Sequence, residues 1–219
     1  MEIELWSDFA CPWCALGQYR LDAARREFAH GDEITVVHRA FELDPHAPAR
    51  RHQSMDEVLA TKYGMSPAQV QQGHDRLTAM GDEVGLEFHF DRIQLGNTFD
   101  AHRLARLARG TDAEHDLFIG LFGAYFTQGA VLSDHDVLLD VATRAGVDAD
   151  AATGVLSGDT FATEVREDEA TAQQLGITGV PYFVIDGRWA VPGAQDIETL
   201  VRTLDRAWER TTAAGAAAN

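Results

Sequence analysis

Only two cysteines occur in 219 residues, and they sit three apart in Cys11-Pro12-Trp13-Cys14. The pair follows a short strand-forming run, Ile3-Glu4-Leu5-Trp6, and precedes a long helical pattern. No other feature narrows the possible folds as much. Residues three apart on a helix share a face. With Cys11 as the cap and Cys14 in the first turn, the sulfurs come within disulfide range. Pro12 then takes the first helical position, where its missing N–H costs nothing and its fixed φ suits the turn. Unpaired N–H groups and the positive end of the helix dipole surround the Cys11 sulfur and favour its thiolate. A thiolate attacks disulfides, and Cys14, deeper in the helix, is placed to resolve the resulting mixed disulfide.

Two other uses of paired cysteines compete with this redox reading. Structural zinc needs four ligands, and neither a second Cys-x-x-Cys nor a matching His pair is present, so no metal is expected. A structural disulfide closing so short a loop would remove little entropy from the unfolded chain.

Composition narrows the partners. The 45% of hydrophobic residues is ordinary for a chain with a real core. Thirty-five acids against 18 bases give a net charge of −17, which disfavours nucleic acid and anionic membranes as partners. The acidic start, Met1-Glu2-Ile3-Glu4, has neither the basic residues nor the apolar run of a secretory signal. No 18-residue apolar stretch occurs. The expected location is the cytoplasm, where thiols are kept reduced and a lone Cys-x-x-Cys is more often catalytic than structural.

In chain order, residues 2–7 predict a strand and 12–29 a helix, with Leu16, Tyr19 and Leu21 inward and Arg20, Arg25, Arg26 and Glu27 mostly solvated. Residues 33–41 predict a second strand, completing a right-handed βαβ unit. Strand signals then nearly vanish from residue 44 to residue 176. Capping boxes at Ser54 and Ser66 open helices that end near Gly64 and Glu83. Residues 86–90 are an ambiguous run. Asn97 or Thr98 caps a helix through Ala108. Asp112 to Gln128 reads as one helix whose stripe Phe118, Phe122, Tyr125 and Phe126 belongs in a core. Ser133 caps the next, and 149–156 and 159–174 give two more, with Asp148, Asp150, Asp159, Glu164, Glu167, Asp168 and Glu169 read as solvated. Residues 182–185 and 188–191 predict a hairpin about Asp186-Gly187. A helix follows from Asp196 to about Glu209, and the alanine-rich residues 211–219 read as a frayed tail.

The fold class is therefore α/β. A βαβ half (1–43) and a ββα half (177–210) form one mixed four-stranded sheet, with an all-helical block (44–176) inserted between them. Gly179-Val180-Pro181 stands just before the third strand, where a proline without an N–H belongs. A cis Val180-Pro181 bond would hold the Val180 main chain beside Cys11, ready to pair with an extended substrate.

Cys11-Pro12-Trp13-Cys14 after a first strand, with Gly179-Val180-Pro181 before a third, resembles the thioredoxin-fold family, and the helical insertion resembles its DsbA branch. The runs Phe41-Glu42-Leu43-Asp44-Pro45, Asn97-Thr98-Phe99-Asp100-Ala101-His102-Arg103-Leu104 and Gly193-Ala194-Gln195 are similar to the FrnE-like group. That resemblance, over residues 2 to about 205, implies a dithiol–disulfide oxidoreductase or isomerase with Cys11 as nucleophile, Cys14 as resolving cysteine and Pro181 as the cis-proline. Pro192 stands where members of the group often carry Ser. The acids nearest the motif, Glu4 and Asp8, leave the proton acceptor for Cys14 open.

Pro12, Trp13, Val180, Pro181, Asn97 and His102 are the candidate substrate-binding residues. An exposed Trp13 between the cysteines suits a substrate contact. His102 is either a pH-sensitive donor to the thiolate or, as base rates favour, a histidine satisfied within the helical block. Asn97 has helix capping as its cheaper explanation. No cofactor is expected beyond the redox-active disulfide, with glutathione a candidate co-substrate. Disulfide-bonded proteins or small thiols and disulfides are the expected substrates, and a homodimer is admitted. Two other functions share the scaffold. One is a glutathione-dependent isomerase of aromatic small molecules, which uses a serine in place of the dithiol. The other is a chaperone-like binding protein.

Overall fold

The computed structural model describes residues 1–217. Strand β1 (Glu2–Ser7) leads into helix α1 (Pro12–Glu27) and strand β2 (Thr35–Ala40). Seven helices follow: α2 (Met55–Tyr63), α3 (Pro67–Asp82), α4 (Phe99–Ala108), α5 (Ala113–Phe122), α6 (His135–Arg144), α7 (Ala149–Ser157) and α8 (Ala162–Gln174). Strands β3 (Tyr182–Ile185) and β4 (Trp189–Pro192) and helix α9 (Ile197–Ala217) close the chain.

The sheet has the order β2-β1-β3-β4, with β1 parallel to β2 and antiparallel to β3. This is the expected mixed four-stranded sheet. Alternation along β1 sorts its side chains to two faces. Ile3 and Leu5 join Leu21, Phe183, Ile185, Leu200 and Leu204 in a core between the sheet and α1 and α9. Trp6 faces the other way, packs with Ala172 and Ile177, and donates its indole N–H to the Asp168 carbonyl at 3.2 Å. The largest core belongs to the helices between β2 and β3. It also takes in Phe9, Cys14, Ala15 and Leu16, so the residues around the cysteines are part of that helical core. The stripe Phe118, Phe122, Tyr125 and Phe126 is buried there, as its spacing requires.

Five local expectations are corrected. The aromatic helix does not run evenly to Gln128. After Phe122 it widens into a turn over Gly123–Thr127, in which the Gln128 N–H bonds the Gly123 carbonyl. The Phe126 carbonyl is taken there by the His89 N–H at 2.9 Å, from the 86–90 run. Asp134, not Ser133, caps α6, because the Ser133 hydroxyl is engaged by the Ala49 carbonyl. Arg20 is buried, not solvated, and donates to the carbonyls of Ala194 at 3.1 Å and Gln195 at 3.4 Å. Asp168 is also buried. It takes Arg39 Nη1 at 2.9 Å, Arg109 Nη2 at 3.0 Å and the Ala40 N–H at 3.2 Å, which ties α8 and α4 to β2. Helix α9 continues past Glu209 to Ala217, across most of the segment read as a frayed tail; Ala218 and Asn219 lie outside the described residues.

Candidate active site

Helix α1 begins where β1 delivers it. The Cys11 N–H donates to the Asp8 carbonyl at 3.0 Å, which closes the turn after β1. Cys11 is the N-cap residue, in extended conformation, with Pro12 at the first helical position. The Cys11 carbonyl accepts the N–H groups of Cys14 at 3.0 Å and Ala15 at 3.2 Å. The cap side chain makes no hydrogen bond to the first turn, so the Cys11 sulfur is not tied up by capping and sits at the opening of the helix.

The two free thiols have unequal surroundings. Cys11 is 4% exposed, and its Sγ lies 3.6 Å from the Val180 carbonyl oxygen. Cys14 is 0% exposed, and its Sγ accepts the Asp8 N–H at 3.5 Å. Burial pushes the Cys14 thiol well up, and the Cys11 sulfur and the Asp8 charge add to it. The Asp8 N–H acts the other way. Trp13, between them, points outward and is 37% exposed.

The Val-Pro element is positioned from two sides. The Val180–Pro181 peptide is cis. The Pro181 carbonyl accepts the Gly193 N–H at 2.8 Å, which ties it to the segment after β4. On the other side is Gly17 of α1. A Cβ at residue 17 would sit 2.9 Å from Pro181 Cγ, so only glycine lets the helix approach the proline ring this closely.

Behind the cysteines lies a buried polar group. Asp8 Oδ2 accepts the Leu43 N–H at 2.7 Å. Asp8 Oδ1 accepts Thr98 Oγ1 at 2.9 Å and the Ala10 N–H at 3.2 Å. His102 Nε2 stands 3.6 Å from the same Oδ1, and the ring lies against Phe9. Glu42 is buried beside them and accepts Asn97 Nδ2 at 3.3 Å and Arg166 Nη1 at 2.5 Å. Burial pushes the Glu42 carboxyl up, while His102 and Arg166 pull against that rise.

The structure therefore gathers Cys11, Pro12, Trp13, Cys14, Val180 and Pro181 at one spot and separates two other candidates from the substrate side. His102 is 3% exposed and sits behind the dithiol. Asn97 Oδ1 accepts the Phe99 N–H at 2.8 Å at the start of α4, while its amide reaches Glu42. Glu4, the other acid near the motif, is spent on Arg39 at 2.7 Å across β1 and β2, which leaves Asp8 as the acid beside Cys14. Thr98, Glu42 and Arg166 were not singled out as site residues from the sequence. Thr98 and Glu42 lie in the runs that carried the resemblance, and tertiary packing explains why those runs occur together. Residues 41–45 supply Glu42 and the Leu43 N–H, residues 97–104 supply Thr98 and His102, and residues 193–195 hold Pro181 and Arg20. Among the described residues no group of His, Cys, Asp or Glu is arranged to hold a metal ion.

A thioredoxin-type sheet that presents two cysteines at the opening of its first helix, against a Val-Pro element, defines a thiol–disulfide oxidoreductase. The chain belongs to the DSBA-like thioredoxin domain family, whose model matches residues 2–205. It is similar to a solved probable DsbA oxidoreductase from Streptomyces coelicolor. The two are 41% identical with a TM-score of 0.90, over 95% of this chain and 90% of that one. An uncharacterized protein of Bacillus subtilis, YwbO, is 25% identical over 89% of this chain and 90% of its own length. The cytosolic disulfide reductase DsbM of Pseudomonas aeruginosa, solved with GSH, shares the fold. Its TM-score is 0.66 at 17% identity, over 95% of this chain and 100% of that one.

Proposed function

We propose that this chain exchanges disulfides through its Cys-Pro-Trp-Cys dithiol, with Cys11 attacking and Cys14 resolving. The observation that carries the reading is the unequal setting of the two sulfurs. Cys11 lies at the opening of α1, against the Val180 carbonyl, and Cys14 is sealed below it with its thiol pushed up. A sulfur at a helix opening is the one a substrate disulfide meets first. The sealed thiol is protected from outside disulfides and reacts when the mixed disulfide brings an electrophilic sulfur to Cys11.

Pro12, Trp13, Val180 and Pro181 form the substrate side of the site. The Val180 main chain suits an extended substrate segment laid beside it, and exposed Trp13 gives that segment an apolar contact. Within the family the chain falls with the FrnE-like group, a placement supported by the packing of residues 41–45, 97–104 and 193–195 around the dithiol. Disulfide-bonded proteins and small thiols or disulfides, glutathione among them, are the substrates. The presence of GSH with DsbM, which shares the fold, supports that class. The cytoplasm is its working location; no helix among the described residues is long and apolar enough to cross a membrane.

Replacing each cysteine in turn tests the assignment. Cys11→Ser abolishes insulin reduction and exchange with glutathione disulfide. Cys14→Ser retains the first attack and accumulates a mixed disulfide on Cys11, visible by mass spectrometry. Full exchange activity in Cys11→Ser refutes the reading. Titration of the dithiol against glutathione then gives the direction: a potential near or below that of glutathione marks a reductase, and a much higher one an oxidant or isomerase.

A further inference from the structure

Resolution by Cys14 leaves a proton to be removed from a place solvent does not reach. Cys14 is fully buried, and burial, Cys11 and Asp8 together hold the proton on its sulfur. Asp8 is the nearest route out. Its N–H touches Cys14 Sγ, its charge acts on the thiol, and its carboxylate is buried and fixed by Leu43, Thr98 and Ala10. Asp8 is itself sealed, so a proton placed on it must move again.

His102 is the next group along. Its Nε2 is buried without a hydrogen-bond partner, 3.6 Å from Asp8 Oδ1. A histidine that only filled the core would have its ring nitrogens satisfied, because an unpaired buried polar atom costs free energy. The gap to Asp8 is a few tenths of an ångström beyond a hydrogen bond, so a small movement closes it. The His102 charge also opposes the burial-driven rise of the nearby buried Glu42 carboxyl. Glu42 meets the surface through Arg166, whose side chain is 46% exposed and also holds Glu169 at 2.7 Å. Tyr125 is a further ionisable neighbour of Asp8, its buried hydroxyl pushed up by burial and by the Asp8 charge. His102 also lines a small cavity with His38, Arg39, Arg106, Arg109 and Asp168.

We propose that His102, whose unpaired Nε2 faces Asp8, is a positioning residue that carries the Cys14 proton from Asp8 towards solvent during resolution. The proposal rests on the dithiol reading above. In the mixed disulfide, Cys11 Sγ is bonded to a substrate sulfur. Cys14 gives its proton to the Asp8 carboxylate, and its sulfur lone pair forms the bond to Cys11 Sγ. The bond from Cys11 to substrate breaks, its electron pair leaves with the substrate sulfur, and that sulfur takes a proton from solvent. The two enzyme thiols are thereby oxidised by two electrons and the substrate disulfide is reduced. Asp8 passes its proton to His102 Nε2, and the ring loses one to Glu42, which exchanges with water beside Arg166 and Glu169. Reduction of the enzyme disulfide runs the same path inward.

Stopped-flow mixing of the reduced protein with an aromatic disulfide that releases a coloured thiolate separates the steps. The first equivalent reports attack by Cys11 and the second reports resolution by Cys14. His102→Gln keeps a polar side chain of similar reach but carries no proton. It slows the second phase by about tenfold, less than the 100-fold or more typical of a group that touches the reacting atom, because Asp8 remains. The first phase stays within about twofold, and the pH profile of the second phase alone changes. Glu42→Gln, the alternative should His102→Gln fail to fold, shows the same pattern in milder form. In the unsubstituted protein the second phase slows in deuterium oxide and the first does not. Equal second-phase rates and pH profiles in variant and parent, or no solvent isotope effect on that phase, overturn the relay alone. A parent protein with no first phase overturns the dithiol reading and the relay with it.

Discussion

Gly17→Ala is the sharpest test of how the Val-Pro element is held. Glycine in a helix interior is about 1 kcal/mol less favourable than alanine, so on propensity alone the change stabilises α1. The local geometry opposes it. The new Cβ would lie 2.9 Å from Pro181 Cγ, 3.4 Å from Pro181 Cβ and 3.5 Å from Phe183 Cζ. A proline ring has no rotamer to escape into, and Gly17 is buried between α1 and β3. Relief must come from moving the helix or the segment 179–181. Overpacking a well-packed core costs about 1–3 kcal/mol, and a contact with a rigid ring belongs in the upper part of that range. Subtracting the propensity gain leaves a net loss of about 1–2 kcal/mol. At about 2–4 °C per kcal/mol for a chain of this size, the melting temperature falls by roughly 2–8 °C. The same movement carries the Val180 carbonyl away from Cys11 Sγ, now 3.6 Å apart, so the first phase of disulfide exchange slows as well. Denaturant unfolding gives the first quantity and stopped-flow exchange the second. A variant about 1 kcal/mol more stable than the parent, with unchanged exchange kinetics, would show that α1 and the proline are not in the contact described, and the reasoning fails.

Two further outcomes follow from the buried charges. Asp168→Ala strips Arg39, Arg109 and the Ala40 N–H of a shared partner and lowers the unfolding free energy by about 2–3 kcal/mol in denaturant titration. That is below the roughly 3–5 kcal/mol of a fully buried pair, because both guanidinium groups keep some contact with water; a loss under about 0.5 kcal/mol contradicts the structural role. For Glu114, burial pushes the carboxyl up, but the hydrogen bonds from His38 and the Gly110 N–H outweigh it and hold it below its usual range. A carboxyl depressed in the folded state adds stability above its unfolded pKa of about 4.3 and loses it as pH falls through the folded value. The stability difference between parent and Glu114→Gln is therefore constant at neutral pH and shrinks below about pH 4.3. A difference that grows on acidification contradicts the sign.

Local chemistry made the framework legible. Cys11-Pro12-Trp13-Cys14 marked a helix start because cap, proline and spacing each have a backbone reason. Asp186-Gly187 marked a hairpin for the same kind of reason. The stripe of Phe118, Phe122, Tyr125 and Phe126 declared its own burial through period. Arg20 and Asp168 were misread because a charged residue in a helical pattern carries no mark of its partner. Arg20 is buried by carbonyls 174 and 175 residues away, and Asp168 by an arginine 129 residues away.

The sequence by itself settled which sulfurs lie at the opening of α1 and which strands build the sheet, because caps, turns and periodicity act over a few residues. Only the tertiary structure decided that Asp8 rather than Glu4 stands against Cys14, and that His102 faces Asp8. Alternation along β1 and the packing of α4 and α8 set those contacts, between residues up to 94 positions apart. A short-range pattern records where a backbone turns; which buried charge meets which is fixed only when distant elements pack.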